Sequence, residues 1–141
     1  MKTFPIYRQR DSMQCGIACL QMVCRYYGQE RMKELSFYCH ATMEGVSLLE
    51  IKDAAKSIGF HAISGRLGVK FLFETKNPCI LHWNQNHFVV LYKVKKGKTF
   101  YIADPAKGLV KYSLEEFKKH WISTKADGEE RGIAMFIEPT P

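Results

Sequence analysis

Apolar residues recur at helical spacing in the first fifth of the chain. Ile17, Leu20, Cys24 and Tyr27 share one face, with Gly28 where a helix would end. That spacing predicts a helix from about Cys15 to Tyr27, with Asp11 and Ser12 just upstream as caps. A second helix is expected over Glu30 to Cys39. A third carries a fuller start signal: Ser47 and Glu50 form a capping box, Val46 and Ile51 a hydrophobic staple, and Gly59 the stop. The same grammar returns at Ser113 and Glu116, flanked by Tyr112 and Phe117, and predicts a helix over Leu114 to Trp121.

Between these helices the period shortens. Phe60 to Gly65 and Cys79 to Trp83 read as strands. His87 to Val94 and Thr99 to Ala103 flank a Lys-rich turn around Gly97 and read as a β-hairpin, and Gly132 to Ile137 supplies one more strand. Helices come first and neighbouring strands follow, without regular βαβ alternation. The expected class is α+β, with an antiparallel sheet packed on an amino-terminal helical part.

A chain of 141 residues is long enough for one domain and short for two. Its hydrophobic content of 46% is enough for a packed core, which excludes wholesale disorder. The longest apolar runs, such as Phe88 to Tyr92, are far below the 18 or so residues a membrane span needs. Arg8, Arg10 and Asp11 precede any apolar stretch, so no secretory signal is expected.

The net charge of +7 is spread along the chain, apart from Lys93, Lys95, Lys96 and Lys98 around Gly97. A solvated turn is the simpler reading of that cluster; an acidic peptide, nucleic acid or an anionic membrane are sharper ones. Five cysteines, an odd number, argue against a disulfide framework. Cys15, Cys19 and Cys24 have no CxxC or HxxxH partner, so a structural zinc site is disfavoured and no metal is expected. Cys19, Cys24, Cys39 and Cys79 read as small apolar fillers. Gly65 and Gly68 are followed by no GK[ST] element, and no nucleotide or other cofactor is expected.

Cys15 differs by position. At the head of a helix, unpaired N–H groups and the dipole favour a thiolate, which lowers the thiol pKa and makes a nucleophile. Gly16 beside it has no side chain to crowd a substrate. His87 opens one strand of the hairpin and Asp104 closes the other, so the two can lie side by side. The carboxylate would then accept from one imidazole nitrogen and turn the other towards a thiol. Taken singly, a core histidine and a turn aspartate before Pro105 are the plainer readings. Gln9 lies six residues before Cys15, where its amide could donate to an oxyanion; a surface glutamine is the commoner case. His40, His61, His82 and His120 have no neighbour suggesting a nucleophile or metal partner, although His82 and Trp83 lead towards His87.

With these residues in place, the sequence resembles the C39 peptidase family, the papain-like cysteine proteases at the amino terminus of bacterial peptidase-containing ABC transporters. The resemblance rests on Gln9 to Leu20 with Tyr26-Tyr27-Gly28, on His87 to Leu91, and on Asp104-Pro105-Ala106. Gly45 to Ser47 and Phe117 to Trp121 also match, whereas Gln14 stands where the family often has an acidic residue. The resemblance implies a papain-like fold and one peptidase domain over residues 1–141. It implies that Cys15 is the nucleophile, His87 the general base and later acid, Asp104 the orienter and Gln9 the oxyanion donor. Its implied reaction is leader-peptide removal from secreted peptide precursors after a Gly-Gly type pair.

The implied partners are a precursor with an amphipathic double-glycine leader and the transmembrane and nucleotide-binding domains of a parent transporter. Nucleic acid is not among them, and the implied place is the cytoplasmic face of the bacterial membrane. A pair of glycines suits a groove too narrow for side chains. The alternative is a slow or inactive leader-docking domain of the same fold. An acyltransferase using the same three groups is more distant.

Overall fold

The computed structural model describes residues 4–6, 15–28, 48–84 and 86–140, the side chains of Cys15, Ile17 and Ala126 excepted. The helix expected over Glu30 to Cys39 lies outside the described residues, as do the caps Asp11 and Ser12 and the Val46–Ser47 half of the third helix's start signal. The chain runs α1 (Cys15–Tyr26), α2 (Leu48–Ser57), β1 (Phe60–Leu67), α3 (Lys70–Phe73), β2 (Cys79–Trp83), β3 (His87–Lys95), β4 (Thr99–Asp104), β5 (Gly108–Ser113), α4 (Leu114–Trp121), β6 (Thr124–Ala126) and β7 (Glu129–Pro139).

The strands form one antiparallel sheet in the order β1-β7-β2-β3-β4-β5, with β6 added to β7. The α+β expectation is therefore met. The last strand in sequence, β7, enters between β1 and β2, so the sheet closes only when the whole chain is present.

Two cores flank the sheet. On one face α1 and α2 pack on Ile80, Phe88, Val90 and Met135. On the other α4 lies over Leu81, Val89, Phe100 and Ala134. Successive residues of β2 and β3 alternate between the two cores, so these strands are apolar on both sides and read in sequence as continuous hydrophobic runs. Helix α1 is buried nearly all round: Cys19, Leu20, Met22, Val23 and Cys24 are fully covered. Such a helix is central to its layer rather than a surface one. Gly28 takes φ 79°, the left-handed stop that only glycine adopts freely. The Tyr27 hydroxyl then donates to the Ile137 carbonyl at 3.1 Å, tying the helix end to β7.

Helix α4 starts as its sequence specifies. The Ser113 hydroxyl accepts from the Glu116 N–H and the Glu116 carboxylate accepts from the Ser113 N–H, each at 3.2 Å. Such a cap is worth about 1 kcal/mol. At its far end Trp121 donates from Nε1 to the Ile133 carbonyl at 3.0 Å. A Cβ on Gly132 would overlap the Trp121 indole and come within 2.7 Å of the Trp121 carbonyl oxygen, so glycine is required for α4 to close on β7.

The β3–β4 turn has Lys96 at φ 55° and Gly97 at φ 66°, with the Lys98 N–H donating to the Lys95 carbonyl. Two left-handed residues in succession suit the twist of a hairpin. Lys93, Lys95, Lys96 and Lys98 are all exposed, as a solvated turn requires.

Candidate active site

The β3–β4 hairpin brings together the two sequence-predicted residues that it was expected to join. His87 Nε2 lies 2.7 Å from Asp104 Oδ1. The carboxylate oxygen accepts, so the imidazole N–H on Nε2 donates, and the tautomer is fixed with it. The same oxygen accepts from the Ala106 N–H at 2.8 Å. Asp104 thus serves both as the turn residue its Asp-Pro sequence suggests and as the partner of His87. It is the one charged side chain among the buried residues described, at 2% exposure, whereas His87 keeps 17%.

Burial alone pushes the Asp104 carboxyl up. The hydrogen bonds from His87 and Ala106 and the positive charges of His87 and Lys107 outweigh it, and hold the group below its ordinary value of 3.8. It is therefore ionised at neutral pH.

A backbone irregularity makes this pairing possible. Near the turn the register runs Lys95↔Thr99 and Lys93↔Tyr101, but beyond Tyr92 it shifts to Leu91↔Ile102 and Val90↔Ala103. The one-residue bulge carries Asp104 into step with Val89, on the side of the sheet that His87 takes. Without it, Asp104 would stand opposite Val90 and point the other way.

Cys15 is the first residue of α1, as expected; its thiol lies outside the described residues, and so does Gln9. The helix head is nevertheless located through the next residue. Gly16 is buried, and a Cβ built on it would lie 2.7 Å from Ile51 Cδ1 and 3.5 Å from Phe88 Cδ2. A methyl group on the residue after Cys15 would therefore touch the ring of the residue after His87. The missing side chain at Gly16 serves this close approach of helix, α2 and strand, a packing reason that differs from the open path for substrate expected from sequence.

The other described thiols are unlike a nucleophile. Cys19, Cys24 and Cys79 are buried, and burial pushes Cys24 and Cys79 up to about 12. The His82 ring lies 5.2 Å from Phe88 on the helix side of the sheet. Trp83, which leads towards His87 in the sequence, is core: it is 1% exposed, with its ring among those of Tyr112, Phe117 and His120. Its strand position faces α4, and an indole there buries more apolar area than any cleft wall would. Among the described residues no group of three His, Cys, Asp or Glu side chains is placed to hold a metal ion. None of the described helices is long and apolar enough to cross a membrane.

The profile of the Peptidase C39 family matches residues 3–126. The Lactococcin-G-processing and transport ATP-binding protein LagD of Lactococcus lactis subsp. lactis is 36% identical over 95% of this chain and 19% of its own length. The colicin V secretion/processing ATP-binding protein CvaB of Escherichia coli is 33% identical over 96% of this chain and 18% of its own length. The chain thus spans about a fifth of the length of each of these two relatives.

Among solved structures, a double glycine motif protease from an AMS/PCAT transporter, in complex with the leader peptide, superposes with TM-score 0.81 at 36% identity. It covers 98% of this chain and 93% of its own. The peptidase domain of Streptococcus ComA, a bi-functional ABC transporter of a quorum sensing pathway, gives TM-score 0.79 at 26% identity over 98% of this chain and 100% of its own.

Proposed function

The chain belongs to the Peptidase C39 family, and from that premise we propose that residues 1–141 form one cysteine peptidase domain that removes leader peptides after a Gly-Gly type pair. Cys15 is the nucleophile, His87 the base and then the acid, Asp104 the orienter and Gln9 the oxyanion donor. The observation that carries this reading is the 2.7 Å contact of His87 Nε2 with buried Asp104, at the end of β3 where Gly16 meets Phe88. With Nε2 committed to the carboxylate, Nδ1 is the nitrogen that takes the thiol proton. His87 is the first residue of β3, so thiol and ring meet around the end of the sheet rather than through it.

The Cys15 thiolate, stabilised by the helix dipole and the imidazolium, attacks the carbonyl carbon of the second glycine and forms a C–S bond. The carbonyl π electrons move to oxygen, where the Gln9 amide and backbone N–H groups hold the charge. Collapse breaks the C–N bond, and the leaving amine takes the proton from His87 Nδ1. Water then loses a proton to His87 and attacks the thioester. The leader departs with a carboxylate and Cys15 returns to its starting state.

Throughout, Asp104 remains ionised and keeps the ring from rotating. The partners that follow are a precursor peptide with a double-glycine leader and the remaining domains of an ABC transporter, with the peptidase at the cytoplasmic face. The likeness to LagD, CvaB and the leader-bound double glycine protease supports the leader peptide and the transporter as partners.

The test is incubation of the chain with a Gly-Gly leader precursor, read by mass spectrometry, with Cys15→Ala as control. Cleavage after the second glycine in the wild type alone is expected. Gln9→Ala should lower kcat by about 100-fold or more. Intact precursor in both wild type and Cys15→Ala would leave a docking domain instead.

A further inference from the structure

His120 had no sequence neighbour to recommend it, yet the fold gives it one. The β2–β3 turn that delivers His87 begins at Asn84, and His120 is the penultimate residue of α4. The two are joined twice. The Asn84 N–H donates to the His120 carbonyl at 2.9 Å, satisfying one of the acceptors that a helix end leaves open. In return His120 Nδ1 donates to Asn84 Oδ1 at 2.8 Å.

Both partners are held in place. Asn84 takes φ 51°, a left-handed conformation that asparagine tolerates and most residues do not. The His120 ring stacks on Trp83 at 5.0 Å and 14°, with the Tyr112 ring edge at 5.3 Å. Next along α4, Trp121 is clamped between Gly132 and the Ile133 carbonyl. The turn therefore hangs from a helix end that is itself fixed to β7. Three residues beyond Asn84 stands His87, paired in the ladder with Trp83, the residue under the His120 ring.

We propose that Asn84 and His120 are positioning residues for the peptidase: a latch between the β2–β3 turn and the end of α4 that sets where the His87 ring stands relative to Asp104 and the head of α1. The inference rests on the peptidase reading for its kinetic consequence. Asn84 is exposed, and a hydrogen bond so near water adds little to stability. Its effect is on geometry, and a displacement of about 1 Å can cost about 100-fold in rate. His120 donates from Nδ1 both as the neutral Nδ1–H tautomer and as the cation, so the latch does not depend on its protonation.

The experiment uses residues 1–141 with four changes. Asn84→Gly keeps the left-handed backbone and its N–H but removes the side-chain acceptor. His120→Phe keeps a flat ring on Trp83 but removes the donor. Asn84→Asp retains an acceptor and is the rescue, and the fourth chain combines Asn84→Gly with His120→Phe. Each is read by kcat and KM on a Gly-Gly precursor, by Tm, and by the ¹H–¹⁵N resonance of the His87 imidazole, which reports its bond to Asp104 whether or not the chain cleaves anything.

Asn84→Gly and His120→Phe are each expected to lower kcat by about 10- to 100-fold with KM within about twofold, and to shift or broaden the His87 resonance. The double variant should be no worse than the worse single one, since both remove the same bond. Asn84→Asp should restore most of the wild-type kcat. An unchanged His87 resonance overturns the proposal, whether kcat is kept or falls only with the amount of folded protein. If the wild-type chain itself cleaves nothing, the peptidase reading falls, and the imidazole resonance still decides the latch.

Discussion

The contact between the head of α1 and the strand that bears His87 passes through one missing methyl group, and Gly16→Ala restores it. The added Cβ would lie 2.7 Å from Ile51 Cδ1, 3.2 Å from Ile51 Cγ1 and 3.5 Å from Phe88 Cδ2. Carbon atoms settle at roughly 3.5–4.0 Å, so about 1 Å must open on the Ile51 side. Ile51 is fully buried and cannot swing into solvent. Overpacking of this kind costs about 1–3 kcal/mol, and the better helix propensity of alanine returns up to about 1 kcal/mol.

The net loss of roughly 0–3 kcal/mol lowers Tm by at most about 12 °C in a domain this size. Activity should suffer more than stability. If the helix head moves away from Ile51 by about 1 Å, Cys15 moves with it relative to His87, and kcat falls by about 100-fold. Ile51→Val removes the offending Cδ1 at a cost of about 0.5–1.5 kcal/mol. The pair Gly16→Ala with Ile51→Val should therefore recover most of the kcat lost by Gly16→Ala alone. Thermal unfolding and steady-state cleavage of a Gly-Gly precursor measure both quantities. Wild-type kcat in Gly16→Ala, or no recovery in the double variant, would refute the argument that this contact sets the position of the nucleophile.

Three further outcomes follow from the same geometry. Asp104→Asn should lower kcat by at least about 100-fold, because an amide can present an N–H where the imidazole N–H must be accepted. The native carboxyl of Asp104 lies below its ordinary value of 3.8, so its stabilising effect is complete above that pH and is lost as pH falls through the lower native value. The stability gap between wild type and Asp104→Asn, measured by denaturant unfolding, should therefore shrink as pH falls below about 4; a gap that widens over that acid range would contradict the sign. Gly132→Ala meets the Trp121 backbone, which cannot yield as a side chain does, and should destabilise by about 3 kcal/mol or more in thermal unfolding.

The parts of the fold legible in the sequence are those with strong local signals. The Ser113–Glu116 cap marked α4 to the residue, and the apolar run Cys79 to Trp83 marked β2. Strand β5 (Gly108–Ser113) was missed because it opens on glycine and buries only two of its residues, and the three-residue β6 and four-residue α3 are too short to show a period. The insertion of β7 between β1 and β2 is a long-range pairing that no local pattern encodes. For the site, the hairpin was enough to bring His87 near Asp104. The bulge at Tyr92 that puts both on one side has no signature in composition. His120 and Asn84 stand 36 residues apart, and only the packing of α4 on the sheet brings them together.

The central claim is that Cys15 is a thiolate nucleophile because His87 is its partner, and the pH dependence of its alkylation tests this most directly. Iodoacetamide labelling of each cysteine is followed by peptide mass spectrometry from about pH 4 to 10, in wild type and in His87→Ala. The account predicts that Cys15 reacts with an inflection well below the ordinary thiol value of about 8.5, while Cys24 and Cys79, held at about 12 by burial, stay unlabelled at neutral pH. In His87→Ala the Cys15 inflection should move back towards that ordinary value. A Cys15 that titrates as an ordinary thiol in the wild type and is indifferent to His87→Ala would contradict it.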